Sequence, residues 1–203
     1  MRPPEVVVFD LGKVLVDFDY DVAVRRVAAR SSVSADQVRL SLDQSPLLAR
    51  YESGRLTTPE FFEEIRQSTG FAGSLKEFSE YFADIFTEMP ETIALHARLR
   101  RDGVPVYLFS NSNDLAISHI RRRFPFYSGF DGYILSYEHG ALKPQPRIYE
   151  AVERATKHTG QDIVYFDDRA ENVAAGAARG WRTVLHESAA KTSQALQDWG
   201  LLG

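Results

Sequence analysis

The sequence predicts an α/β fold: a parallel sheet flanked by helices, with a small all-helical unit inserted after the first strand. Three observations predict it. Short runs rich in Val, Ile, Tyr and Phe recur at residues 6–9, 104–109, 132–135, 163–166 and 182–185, and they are nearly continuously apolar rather than alternating. Such runs suit strands buried on both faces, as in a parallel sheet covered by helices on each side. Helical patterns separate most of the later runs. The stretch 17–89 breaks this rhythm, with no strand signal but several helix starts.

The first run, "VVVF", ends on Asp10, and a glycine follows at Gly12. Within the insert, Ser34–Gln37, Thr57–Glu60 and Ser74–Glu77 have the capping-box spacing, in which a hydroxyl and a Glu or Gln satisfy free helix amides reciprocally. Pro59 suits a first helical turn. Phe18, Tyr20, Tyr51, Phe61, Phe62, Phe71, Phe78, Tyr81, Phe82 and Phe86 gather here. They are expected to pack a helical bundle, with room for a few to line a pocket facing the sheet. Beyond the insert, a helical pattern over 90–101 closes with Gly103, and another over 170–179 closes with Gly180. The expected division is a core of 1–16 and 90–203 and an insert of 17–89.

Composition excludes several functions. The 203 residues are 44% hydrophobic and 26% charged, an ordinary globular balance. A net charge of −4 gives no footprint for nucleic acid or an anionic membrane. No apolar run approaches the roughly 18 residues of a membrane span. The start, "MRPPEVVVFD", lacks the apolar core of a signal peptide. The absence of cysteine removes disulfides, thiolate metal sites and cysteine nucleophiles, and suits the cytoplasm. His96, His119, His139, His158 and His186 have no helical metal-ligand spacing. Monomer and symmetric homodimer are both compatible with such a chain.

Four polar signals fall at or just beyond strand ends: Asp10, Ser110, Lys143, and the pair Asp167 and Asp168. In an open α/β sheet ligands bind outside the carboxyl ends of the strands, so all four should share one rim. Each alone has a plainer reading as a turn, a cap or a solvated lysine. Together they do not, because three converging carboxylates repel unless a cation joins them. Oxygen ligands suit Mg²⁺, which keeps several waters and also binds phosphate oxygens. A carboxylate can then act as a covalent nucleophile toward phosphorus, with a hydroxyl, backbone amides and a lysine holding the phosphoryl oxygens.

The order of these motifs resembles that of the haloacid dehalogenase (HAD) superfamily of hydrolases. The resemblance spans nearly the whole chain, and the insert looks like that superfamily's type-1 helical cap on a Rossmann-like core. "FDLGKVLVDFD", "YESGRLTTPEFF", "SNSN", "KPQPRIYE" and "FDDRAENV" look most like the branch of α-D-glucose-1-phosphatase-like sugar phosphatases. The resemblance implies a phosphoric monoester hydrolase acting on a small phosphorylated metabolite through an aspartyl-phosphate on Asp10. It implies that Asp10, the Gly12 carbonyl and Asp168 ligate Mg²⁺, with Asp167 beside them through a water. Ser110 and Asn111 would bind the phosphoryl group, and Lys143 would neutralise charge.

Gly12 departs from the wider pattern, in which an aspartate two residues after the nucleophile protonates the leaving group. The sugar-phosphatase branch also tends to carry glycine there. Lys13 stands where that branch usually has Asn; it is equally compatible with facing the pocket or solvent. Asp17 is a possible substitute acid, but it is better read as the start of the insert. Two other readings remain: a catalytically weak binding or regulatory protein, and a metal-free 2-haloacid dehalogenase. The paired Asp167 and Asp168 speak against the latter. Tyr20, Tyr51, Glu52 and Arg55 are candidates for setting specificity from the insert.

Overall fold

The computed structural model describes residues 2–43 and 45–203. Its centre is a five-stranded parallel sheet built from β1 (Val6–Phe9), β4 (Val106–Ser110), β5 (Gly132–Leu135), β6 (Ile163–Asp167) and β7 (Arg182–Leu185), in the order β5-β4-β1-β6-β7. β1 is central, pairing with β4 on one side and β6 on the other. Side chains alternate between the faces of a strand. Val7 and Phe9 accordingly enter one apolar cluster with Leu108, Val164 and Phe166, while Val6 and Val8 enter another with Phe109, Ile134 and Tyr165. Helices α6 (Pro90–Arg101), α7 (Asp114–Arg123), α8 (Ser136–His139), α9 (Pro146–Thr156), α10 (Ala170–Ala178) and α11 (Ala189–Asp198) complete this part. Gly103 and Gly180 end their helices with φ of 78° and 81°, a backbone region that penalises any side chain. The edge strand β7 is only half-buried along its length, less covered than a continuously apolar run implies.

Two strands reach one residue further toward the rim than expected, and β4 also begins at Val106, two residues later than its apolar run. Ser110 and Asp167 are the last residues of β4 and β6, held in register opposite Leu135 and Leu185. The polar groups of the rim therefore stand on ladder backbone rather than on loop.

Among the described residues between β1 and α6 lie five helices: α1 (Tyr20–Ala28), α2 (Ala35–Leu42), α3 (Pro46–Glu52), α4 (Thr58–Thr69) and α5 (Leu75–Ala83). The capping boxes at Ser34, Thr57 and Ser74 open α2, α4 and α5 with both reciprocal bonds made. Phe61, Phe71, Phe78 and Phe82 pack a separate core with Val24, Leu42 and Ile65. The expectation that this stretch holds no strand is corrected. β2 (Val16–Phe18) and β3 (Phe86–Glu88) form an antiparallel ribbon, with Val16 opposite Glu88 and Phe18 opposite Phe86. Three residues are too few to carry a period-2 pattern, so pairing with a distant segment decides these strands. The chain enters and leaves the helical insert through this ribbon.

Candidate active site

β1 drives Asp10 to the rim, where its amide still bonds the Phe166 carbonyl at 2.9 Å. Asp10 Oδ1 accepts from the Leu11 amide at 2.7 Å and from Lys143 Nζ at 2.9 Å. Among the described residues nothing bonds Oδ2, so one oxygen of a buried carboxylate is open.

Lys143 uses all three of its ammonium protons. Besides Asp10, it donates to Asp167 Oδ2 at 2.6 Å and to the Phe109 carbonyl at 3.0 Å. Its backbone is clasped by Asn111, whose Oδ1 accepts from the Lys143 amide at 2.8 Å and whose Nδ2 donates to the Lys143 carbonyl at 3.1 Å. The Asn111 side chain thus fixes the lysine loop to the end of β4.

Asp167 is fully buried and fully bonded. Its Oδ2 also accepts from the Tyr165 hydroxyl, and its Oδ1 accepts from the Arg169 amide at 2.9 Å. Asn172 Nδ2 lies 3.0 and 3.2 Å from the two oxygens. Burial alone would raise the Asp167 pKa, but Lys143 and these hydrogen bonds carry it below the usual aspartate value. Asp10 moves the opposite way, pushed up by burial and by Asp167 against the pull of Lys143. Asp168 is half-buried and is raised by burial and then by Asp167; among the described residues no other residue donates a hydrogen bond to its carboxyl.

Asp10, Asp167 and Asp168 each bring an oxygen within 4.8 Å of the others. Lys143 offsets one of their three charges. The two remaining negative charges and a purely carboxylate donor set fit a hard divalent cation. Open oxygens are found on Asp10 and Asp168, whereas those of Asp167 are engaged.

Above this cluster is a cavity of about 410 Å³, within the range of small-molecule sites. Gly12, Asn111, Lys143 and Asp168 form its floor, and Tyr20, Asp43, Ser45, Leu48, Ala49 and Glu52 of the insert form its roof. A smaller cavity of about 80 Å³ alongside is lined by Ser110, Phe18 and Glu52. Ser110 is buried and its hydroxyl donates to the Asn111 carbonyl at 3.3 Å.

The remaining sequence candidates separate cleanly. Lys13 lies on the cavity wall but is exposed, paired with Asp17 and donating to the Phe18 carbonyl at 3.1 Å. Lys13 pulls the Asp17 pKa down, so that carboxyl stays ionised and is a poor acid. Tyr20 and Glu52 reach the cavity. Tyr51 is buried instead, stacked 4.4 Å from Phe61, and Arg55 is exposed outside the lining. Sequence reasoning missed Tyr165 and Asn172, which hold Asp167. Asn172 sits in the first turn of α10, five residues after Asp167, a spacing with no signature of its own. It also missed Phe18: a Cβ added at Gly12 would lie 2.8 Å from the Phe18 ring.

A sheet that gathers such a rim beneath an inserted roof is that of a hydrolase family, and the comparisons identify it. A family profile, haloacid dehalogenase-like hydrolase, matches residues 4–180. The chain belongs to that family of enzymes. It is 26% identical over 196 residues to a D-ribitol-5-phosphate phosphatase of Bacteroides thetaiotaomicron, covering 94% of this chain and 95% of that one. In fold it is similar to a predicted HAD-like family hydrolase of Porphyromonas gingivalis, with a TM-score of 0.83, 23% identity, and coverage of 96% and 98%. A HAD family enzyme of Bacteroides thetaiotaomicron, solved in complex with magnesium and inorganic phosphate, superposes with a TM-score of 0.80 at 23% identity, covering 89% and 93%.

Proposed function

We propose that the protein is a Mg²⁺-dependent phosphatase that hydrolyses a small phosphate monoester, a sugar or sugar-alcohol phosphate. The observation that carries this reading is the open Oδ2 of Asp10 beside Lys143, Asp167 and Asp168 on one rim. A carboxylate so held is a nucleophile aimed out of the sheet. Its attack on phosphorus would form an aspartyl-phosphate, with Lys143 offsetting charge on nucleophile and phosphoryl group alike. Ser110 and the Asn111 amide at the end of the same strand would receive phosphoryl oxygens. Asp10, Asp168 and the Gly12 carbonyl would hold Mg²⁺, with Asp167 behind them through a water. When bound, the ion would screen the anionic substrate from the anionic nucleophile.

The substrate class rests on the roof. Asp43, Tyr20 and Glu52 would offer acceptors and a hydroxyl to a polyhydroxylated substrate, and Leu48 and Ala49 would cover its carbon skeleton. One relative of matching length, the D-ribitol-5-phosphate phosphatase, is named for a sugar-alcohol phosphate. Residues 17–89 would serve as a cap that excludes water and large substrates during transfer.

The test is Mg²⁺-dependent phosphate release across a panel of phosphorylated sugars, sugar alcohols and a phosphopeptide. The expected result is release from small esters, abolished by EDTA, with negligible turnover of the phosphopeptide. Asp10→Asn should lower turnover by several orders of magnitude, because the covalent route is gone. An Asp10→Asn protein with near-normal phosphate release would overturn the reading.

A further inference from the structure

Gly12 leaves the reaction without a proton donor at the rim. The place is not merely vacant, because the Phe18 ring fills the space that a side chain on residue 12 would need. Asp17 is tied to Lys13. The proton must come from elsewhere in the cavity.

We propose that Glu52 is the general acid and base of the hydrolysis, acting from the roof of the cavity on the leaving oxygen and then on the attacking water. The proposal rests on the phosphatase reading above. Glu52 is the last residue of α3, and it lines both the main cavity and its smaller neighbour, in company with Gly12, Phe18 and Asn111. Its position is fixed from the sheet side. The Ser136 hydroxyl lies 2.6 Å from the Glu52 carbonyl and accepts from the Ser112 amide at 2.9 Å, just after the end of β4. The adjoining Tyr51 hydroxyl bonds Asp114 at the start of α7, which Thr58 also bonds at 2.5 Å. The main chain around Glu52 is thereby pinned to the segment that carries Ser110 and Asn111. Its carboxyl, by contrast, makes no hydrogen bond among the described residues.

The electrostatics agree with the geometry. Burial pushes the Glu52 pKa up to about 7, with Arg169 opposing. Tyr20 on α1, Asp43 after α2, and Asp10, Lys143 and Asp168 on the floor face the same cavity. A carboxyl with a pKa near the working pH can both give and take a proton. In the first step an Asp10 oxygen bonds phosphorus, the bond from phosphorus to the ester oxygen breaks, and that oxygen keeps the electron pair. It takes the proton of Glu52 and departs as the alcohol. In the second step water attacks phosphorus and gives a proton to the Glu52 carboxylate. The bond from phosphorus to Asp10 breaks, its electron pair returns to Asp10, and inorganic phosphate leaves.

The test compares the wild-type chain with Glu52→Gln, full length and with Mg²⁺, in single-turnover reactions with enzyme in excess. Leaving-group release is followed from p-nitrophenyl phosphate and from a sugar-alcohol phosphate. The aryl group departs without a proton, so its release should change by no more than a few-fold. Release of the alcohol should slow by roughly 10²–10⁴-fold, the usual worth of general acid catalysis. Equal slowing of both would make Glu52 a positioning residue and overturn the proposal, as would alcohol release at the wild-type rate. A wild-type protein that releases no phosphate from either ester would instead sink the phosphatase reading itself. Thermal unfolding of both proteins checks that the variant is folded.

Discussion

Lys143 and Asp167 beneath the cavity and Glu52 on its roof treat charge in opposite ways. On the floor, Lys143 and Asp167 are buried and every donor and acceptor they own is matched. On the roof, Glu52 is also desolvated, yet its carboxyl has no bond from a described residue and its pKa rises instead. A buried charge can be stabilised by partners or relieved by taking up a proton, and this site uses both solutions. Asp10 and Asp168 stand between the two cases: each keeps an open oxygen and has a pKa raised by burial, as suits carboxylates that a cation would complete.

The sharpest way to break the comparison is at the floor. Lys143→Met strands Asp10 and Asp167 in the interior with no counter-charge. It should destabilise the protein by about 3–5 kcal/mol, the usual cost of removing one partner from a buried pair. Urea denaturation at neutral pH measures this, and a loss comparable to that of an exposed lysine would mean that the floor is not charge-matched as described.

A middle-sized effect tests the boundary between floor and roof. Gly12→Asp restores a carboxyl to the rim but drives its Cβ into Phe18. Overpacking of this kind costs about 1–3 kcal/mol. The same substitution in a Phe18→Ala background should cost clearly less, so the two changes should couple in a double-mutant cycle. Additive costs would show that Phe18 does not hold that space.

The smallest effect sharpens the roof. The folded protein keeps a proton on Glu52 between the ordinary glutamate value and about 7, where the unfolded chain has lost it. Wild-type stability relative to Glu52→Gln should therefore fall as pH rises through that window and level off above it. The variant should melt at the wild-type temperature near pH 4 and above it at pH 8. A difference that does not vary with pH would contradict the raised pKa.

Much of the floor was legible in the sequence, because Asp10, Ser110 and the acidic pair each end an apolar run and runs of that kind are visible locally, with Lys143 following a third run by a few residues. The rim could be assembled from strand ends and the loop just beyond one of them. The different places of Asp167 and Asp168 followed from the family resemblance and not from local pattern, since the bonding that separates them comes from Tyr165 and Asn172 reaching one and not the other. The three capping boxes were equally readable, each being a contact between residues three apart. β2 and β3 were not, because Val16 and Glu88 meet only after the whole insert has folded between them. Glu52 was visible as a specificity candidate, but its place on the cavity it shares with Gly12 depends on Ser136 and Asp114, far away in the chain. Phe18 looked like one more aromatic of the bundle, and only a close approach in space reveals what it displaces.

The ribbon of β2 and β3 has a consequence for how this architecture can be altered. Both passages of the chain run side by side, so the five helices form a detachable cassette whose ends already meet. Replacing or lengthening the cassette adds little closure entropy beyond what the ribbon fixes, and it leaves the register of the parallel sheet untouched. An exchanged cassette would have to bring its own counterpart of Glu52, the one proposed catalytic group that lies within it. New termini opened in a turn of the cassette should be accepted more readily than any cut between β1 and Asp10.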